Sequence, residues 1–348
     1  INITLAPDNQ QLGEVVVVAE AKKNTENALI TRQRTSLVMQ TGVSAQQITK
    51  TQDKDASEVI RRVPGISIIE EKFVMVRGLS QRYNNVWINN SAVPSSEADA
   101  RAFSFDIIPS SQLDNMLVVK SPAPEYPADF SGGFILVNTK DVPNSNLFNI
   151  SVGGSMNDQT HFKNFQYNKG SGTDFLGFDN GLRSLNGGIN ATLRPMNNGY
   201  DLLNNGLNND WSIKNRKPIA DLSLSMNIAH RWVSESGRTL AMLGAVNYSN
   251  TYKTYLNMDN NLYGAYDITH DRSNYLRKGV DDQYNHNVRV GAMLNLTYVP
   301  ASGNNRYEFK NIFNQLGKDR YTYRKGTDAQ SDYEESAEYY YQSRTTYN

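Results

Sequence analysis

The chain has 348 residues, 35 basic residues balanced by 35 acidic ones, and no cysteine. The length allows two domains, the zero net charge leaves no global electrostatic footprint for a nucleic-acid partner, and the missing cysteines exclude disulfides and thiolate metal sites. No run of about 18 apolar residues occurs, which excludes a transmembrane helix but not a membrane β-barrel, whose strands alternate lipid-facing and lumen-facing residues.

Ile1 to Leu5 alternates as an edge strand does, and Pro7-Asp8-Asn9 breaks it. No signal peptide opens the chain. The opening reads as the last strand of a domain already under way, so a trimmed product lacking sequence at both ends is expected. Leu12 to Glu20 contains Val15-Val16-Val17-Val18, a run that favours extended backbone. Two readings stay open there: a short core strand, or an arm that adds itself to a partner's sheet edge. From Glu20 to Arg34 the sequence is polar and has no helical stripe.

Ser44 is a plausible N-cap with Gln47 at the third helical position. Asp55 to Arg62 predicts a second short helix, with Ala56, Val59, Ile60 and Val63 on one face and Pro64-Gly65 ending it. Strands are expected at Ile66 to Ile69, Phe73 to Val76, Val86 to Ile88, Met116 to Val119 and Phe134 to Asn138. Asn89-Asn90 is a turn, and Ser110 to Leu113 a short helix start.

After Pro143 the character changes. Leu222, Leu224, Met226 and Ile228 share one face of a strand, and Leu240, Met242, Val246, Tyr248 and Tyr252 a face of the next. Val288, Val290, Ala292, Leu294, Leu296 and Tyr298 share a third, and Tyr307, Phe309 and Phe313 a fourth. The opposite faces are polar. This is the alternation of a barrel wall, although a soluble sandwich would alternate too. Strand length favours the barrel, as do tight turns at 234–237 and 301–305 set against long polar stretches at 170–218 and 257–282. So do aromatics toward strand ends: Trp232, Tyr252, Tyr255, Tyr298 and Tyr307. Roughly six strands are expected by residue 348.

The valine run, Val63-Pro64-Gly65-Ile66, Val76-Arg77-Gly78, Val86-Trp87-Ile88-Asn89 and Phe130-Ser131-Gly132-Gly133 leading to Val137-Asn138-Thr139-Lys140 together resemble the N-terminal part of a TonB-dependent outer-membrane receptor. Arg101 to Asp106 with Ile108-Pro109 resembles the Bacteroidota-type members, and the leading strand resembles the end of a carboxypeptidase-regulatory-like domain. The resemblance implies a transmembrane β-barrel of about 22 antiparallel strands with an α+β plug in its lumen. Only the first six or so strands fit in this chain. The implied division is 1–10, end of a preceding β-sandwich; 11–35, TonB box and linker; 36–143, plug; and 144–348, the first barrel strands.

The resemblance also implies function and site residues. Glu14, Val15, Val16, Val17, Val18 and Ala19 match the TonB box, which pairs with the C-terminal domain of TonB, driven by its inner-membrane energising complex. Arg77 matches an arginine that locks plug to barrel through wall carboxylates, and Lys120 stands where the family has a second arginine. Gln81, Arg82, Tyr83, Asn84, Ser95, Glu97, Asp99 and Arg101 fall on the plug apices that face substrate. The implied activity is import of a scarce nutrient (siderophore-bound iron, haem, an oligosaccharide or a peptide) across the Gram-negative outer membrane, with lipid around the barrel. The alternative is a non-transporting platform that anchors a surface lipoprotein or serves protein export. His161, His230, His270 and His286 have no metal-ligand spacing. No catalytic constellation is present, so neither an enzyme nor a cofactor is expected.

Overall fold

The computed structural model describes residues 25–51, 53, 55–70, 72–93, 95, 101–140, 146–184, 210–329 and 332–347. The valine run at 14–19 and both Glu97 and Asp99 lie outside these residues.

The first unit is built on strands β1 (Gln40–Ser44), β2 (Ile66–Ile69), β3 (Phe73–Val76), β4 (Asn85–Ile88), β5 (Ser91–Ala92), β6 (Leu113–Val119) and β7 (Phe134–Thr139). Five of them form a sheet in the order β1-β6-β7-β4-β5, and β2 pairs with β3 as a separate hairpin. Both faces of the large sheet are covered, which explains why Met116 to Val119 and Phe134 to Val137 read as unbroken apolar runs. Met116, Val118, Ile135 and Val137 pack with Val59, Ile60, Phe105 and Ile108. Leu117, Val119, Phe134 and Leu136 pack on the other side with Leu29.

Three helices complete the unit: α1 (Glu26–Thr35), α2 (Ala45–Thr51) and α3 (Ala56–Ile60). The Ser44 cap forms, its Oγ accepting from the Gln47 amide at 3.4 Å. Asp55 caps α3, and Ala56, Val59, Ile60 and Val63 are all buried as their spacing predicts. The stretch 26–35, read as linker, is instead helix α1. It has no apolar stripe and buries only Leu29. Its ends hold it: Thr25 accepts from the Ala28 amide, Glu26 sits in the first turn, and Arg32 and Arg34 sit in the last, all favourable to the helix dipole.

The second unit is a six-stranded antiparallel sheet in the order β15-β14-β13-β12-β11-β8. Its strands are β8 (Leu147–Ser155), β11 (Asp221–Val233), β12 (Thr239–Asp267), β13 (Arg272–Val299), β14 (Tyr307–Asp328) and β15 (Tyr333–Tyr347). A two-stranded ribbon, β9 (Phe165–Asn168) with β10 (Ile213–Arg216), lies between β8 and β11 in sequence. The turns at 234–238 and 300–303 are tight. The sheet does not close on itself. Among the described residues no helix is long and apolar enough to cross a membrane.

Alternation sorts the two faces of this wall. Phe148, Ile150, Val152, Leu222, Leu224, Met226, Leu240, Val246, Leu294 and Phe309 are exposed on one face, as a lipid-facing band requires. Ala245, Met293 and Ile312 point the other way into the plug core. At the tight-turn end, Trp232 is exposed and Tyr298 stacks near Tyr307. Tyr252 does not belong to this girdle, because it is covered by Phe165.

The stretch 257–282 is not a long loop. β12 and β13 run through most of it, with irregular register between Tyr255 and Met258 and between Leu262 and Tyr266. Some of its polar residues pair across strands: Asn260 Nδ2 donates to Asp281 at 2.7 Å, and Arg324 on β14 forks onto the same carboxylate at 2.6 and 2.7 Å.

Candidate functional site

The apical end of the plug is shaped by the short 3-10 helix Gln81–Tyr83 between β3 and β4. Arg82 and Tyr83 project from it, the guanidinium lying over the ring at 5.4 Å. Asn84 turns inward. Its Nδ2 donates to Val74 O at 2.7 Å and its Oδ1 accepts from the Gly133 amide at 3.1 Å. It is therefore a brace rather than a substrate-facing group, and it explains Gly132, where a Cβ would collide with Asn84 Oδ1.

Ser95 Oγ ties its loop to Ala102, donating to the carbonyl and accepting from the amide. Arg101 pairs with Asp129 at 2.7 Å, and Asn85 Nδ2 donates to the other oxygen of that carboxylate at 2.6 Å. Gln81, Asn84, Asn85, Ser95 and Arg101 line a cleft of about 70 Å³ floored by Val74 and Phe105. It has room for a small polar group of a ligand, since whole-ligand sites run to about 300–1,000 Å³.

Arg77 and Lys120 come together, but their hydrogen bonds stay inside the plug. Arg77 has φ +54° and donates to Lys120 O at 2.7 Å and to Gly132 O at 3.1 Å. Lys120 Nζ donates to Pro64 O at 2.6 Å. Burial pushes the Lys120 ammonium below its ordinary value, and the neighbouring guanidinium adds to that shift. Among the described residues these two cations brace three plug segments, and the contacts that fasten plug to wall lie elsewhere.

Those contacts have the reverse polarity, with carboxylates on the plug and cations on the wall. Asp106, buried, is held by Lys318 of β14 at 2.9 Å and by Arg344 of β15 at 3.2 Å. Arg344 also donates to Ser104 Oγ at 3.0 Å. Burial alone would raise the Asp106 carboxyl, but Lys318 and Arg344 outweigh it and hold it below the usual range. Asp55 pairs through Oδ2 with Arg289 of β13 at 3.1 Å. Its Oδ1 meanwhile caps α3, accepting from the Ser57 amide, the Ser57 hydroxyl and the Glu58 amide. Asn295 Nδ2 donates to Lys140 O at 2.6 Å, adding a neutral contact.

Sequence reading missed Asp55 as a docking group and missed Asp106 and Asp129. The one signal was Phe105-Asp106-Ile107, a carboxylate between apolar residues, which when buried requires a partner. Among the described residues no cluster of three or more His, Cys, Asp or Glu could hold a metal. His161 lies 3.3 Å from Asp221 and His286 stacks on Tyr252, so both are packing residues.

Residues 32–134 match the family described as TonB-dependent Receptor Plug Domain. The vitamin B12 transporter BtuB of Photobacterium profundum is 28% identical over 118 residues, which is 32% of this chain and 19% of that protein. Among solved structures, the siderophore receptor PirA of Acinetobacter baumannii aligns with 86% of this chain and 49% of its own, at 10% identity and TM-score 0.36. A ferric enterobactin receptor (PfeA) mutant of Pseudomonas aeruginosa aligns with 86% and 51%, at 13% and 0.35. The unliganded ferric citrate transporter FecA aligns with 92% and 55%, at 14% and 0.35. The chain thus spans about half the length of these structures. Residues 32–134 thus match a plug-domain family of TonB-dependent receptors, the relatives named here are transporters and receptors, and the match indicates a Gram-negative outer-membrane setting.

Proposed function

We propose that the chain is the N-terminal part of a TonB-dependent transporter that imports a scarce nutrient by displacing its plug. The observation that carries this reading is the docking of the plug on the polar face of the wall through Asp106 and Asp55, while the opposite face is apolar and exposed. Charged pairs at such a boundary can be exchanged for water when a force is applied, and the apolar part of the contact is confined to a few wall residues such as Ala245, Met293 and Ile312. In this reading Glu14 to Ala19 form the TonB box, and substrate meets Arg82, Tyr83 and the Gln81–Arg101 cleft. Arg77 and Lys120 meet carboxylates on wall strands that complete the barrel to about 22. A Bacteroidota-type receptor with a carboxypeptidase-regulatory-like domain before the plug belongs to the same reading.

The test is deletion of residues 14–19 in the full-length protein. Uptake of the nutrient should be abolished and its binding to cells retained. Uptake that survives the deletion would overturn energy coupling through this segment.

One observation favours the second reading, a platform for a surface lipoprotein. The outer end of the β12–β13 hairpin exposes Leu262, Tyr263, Tyr266, Ile268, Tyr275 and Leu276 to solvent. A contiguous aromatic and aliphatic tip of that kind suits a protein partner. Stoichiometric recovery of a lipoprotein, without a substrate-dependent growth phenotype, would move the assignment there.

A further inference from the structure

In its described parts, 156–184 and 210–220, the connection between β8 and β11 lies on the side of the wall away from the plug, directly above the apolar band. Tyr252, Tyr284, Tyr321, Tyr339 and Tyr341 share the face of Val246, Leu294 and Phe309 by alternation. Phe165 is buried against Tyr252, Tyr284 and Tyr321. The Arg216 guanidinium lies over Phe165, Tyr167 and Tyr252 at 5.3, 4.5 and 4.7 Å. Arg183 sits 3.6 Å from the Tyr341 ring while holding Asp174 and Asp179.

Backbone contacts fix the same segment. Gly177 O accepts from Gln315 Nε2 at 2.5 Å and from Ser343 Oγ at 2.8 Å. A Cβ on Gly317 would stand 2.6 Å from Gly177 Cα. Where β12 outruns its partner β11, its edge amides are capped: Tyr252 N donates to Asp221 at 2.8 Å and Thr254 N to Thr160 Oγ1 at 2.9 Å. The segment is a docked cuff.

The outward surface of the cuff has two zones. Its lower rim continues the lipid-facing band. Tyr248, two residues along the strand from exposed Val246, donates its hydroxyl to Phe175 O at 2.9 Å, and Phe175 and Leu176 are themselves exposed. Farther from the band, Lys163, Lys169, Lys214 and Lys217 are exposed. Over the described cuff, Lys163, Lys169, Arg183, Lys214, Arg216 and Lys217 outnumber Asp158, Asp174, Asp179 and Asp210. Asp174 and Asp179 are paired with Arg183, and Asp210, accepting from Ser212, keeps its charge in the field of Lys169 and Lys214. The net charge of this surface is therefore positive, above an apolar rim.

We propose that the cuff docks the phosphorylated glycolipid of the outer leaflet, with acyl chains against Phe175 and Leu176 and phosphates on the lysines. Continuity with the lipid-facing band fixes the occupant as a lipid, and the charge selects an anionic headgroup. The proposal rests on the outer-membrane setting and is independent of whether the protein transports.

The test uses the full-length protein in mild detergent, titrated with bis-phosphorylated lipid A or with a zwitterionic phospholipid and read by native mass spectrometry. The wild type should retain the lipid A adduct and prefer it by about tenfold or more over the zwitterionic lipid. The triple substitution Lys163→Glu, Lys214→Glu, Lys217→Glu should abolish the preference. These side chains are solvent-exposed, and unchanged heat-modifiable mobility checks that the barrel is intact. The variant Phe175→Ser should weaken both lipids alike. Equal binding of the two lipids by wild type, an unchanged preference in the triple variant, or a co-purified polypeptide protected against the cuff would overturn the proposal.

Discussion

The two faces of one β-wall are covered by opposite chemistries. On the lumen side the plug is held by Asp106 and Asp55 facing Lys318, Arg344 and Arg289. On the far side the cuff is held by stacked rings, a guanidinium over three of them, and two glycines whose backbones touch. Around these pairs Ala245, Met293 and Ile312 of the wall pack into the plug core, but ions regain water as they part, while close backbone contact under aromatic rings has no such substitute. In the transporter proposed above, the difference would separate a part that leaves the wall from a part that is built into it.

The largest effect that would break this contrast comes from the lumen side. Asp106→Ala leaves Lys318 and Arg344 facing a buried site without their anion, at a cost of about 3–5 kcal/mol to plug docking. Faster amide exchange and proteolysis in 101–119, with the cuff still protected, is the expected outcome. The pH dependence has a fixed sign. The Asp106 carboxyl is held below its ordinary value, so its contribution is complete above about pH 4 and disappears as pH falls through the lowered value. Plug protection measured from pH 7 downward should stay flat until that acid range, and Asp106→Asn should remove this group's acid step.

On the far side, Gly317→Val places side-chain atoms where Gly177 lies and should cost about 1–3 kcal/mol. Proteolysis confined to 157–184 would sharpen the contrast, whereas loosening of the plug would show the two faces to be coupled. The smallest effect is Arg216→Gln, which removes the cation over three rings at about 1 kcal/mol. It should be seen as a modest loss of cuff protection at high temperature.

Much of the plug was legible in the sequence because its determinants are local. Asp55 before Ala56-Ser57-Glu58-Val59-Ile60 is a cap followed by a buried face, and Ile66 to Ile69 and Phe73 to Val76 form strands with those bounds. Alternation likewise announced the apolar, exposed side of the wall. The docking groups were not legible, because Asp106 and Lys318 stand 212 residues apart and nothing near either names the other. Arg77 and Lys120, singled out by motif, each donate to plug carbonyls, Arg77 to Lys120 O and Gly132 O and Lys120 to Pro64 O. The hairpin at 257–282 resembled a loop for a physical reason. Asn260, Asp281 and Arg324 are polar, and only the register shows that they satisfy one another across strands.

Asp55 divides its two oxygens between two tasks. Oδ1 accepts from the Ser57 and Glu58 amides that start helix α3 and from the Ser57 hydroxyl, and Oδ2 meets the wall. Separation of plug from Arg289 therefore frees an oxygen that no backbone amide depends on. In the proposed displacement the helix would keep its first turn, and the same carboxylate would be ready for recapture on return. In mechanical terms the junction would then be a detachable coupling whose disengagement does not unwind the part it carries.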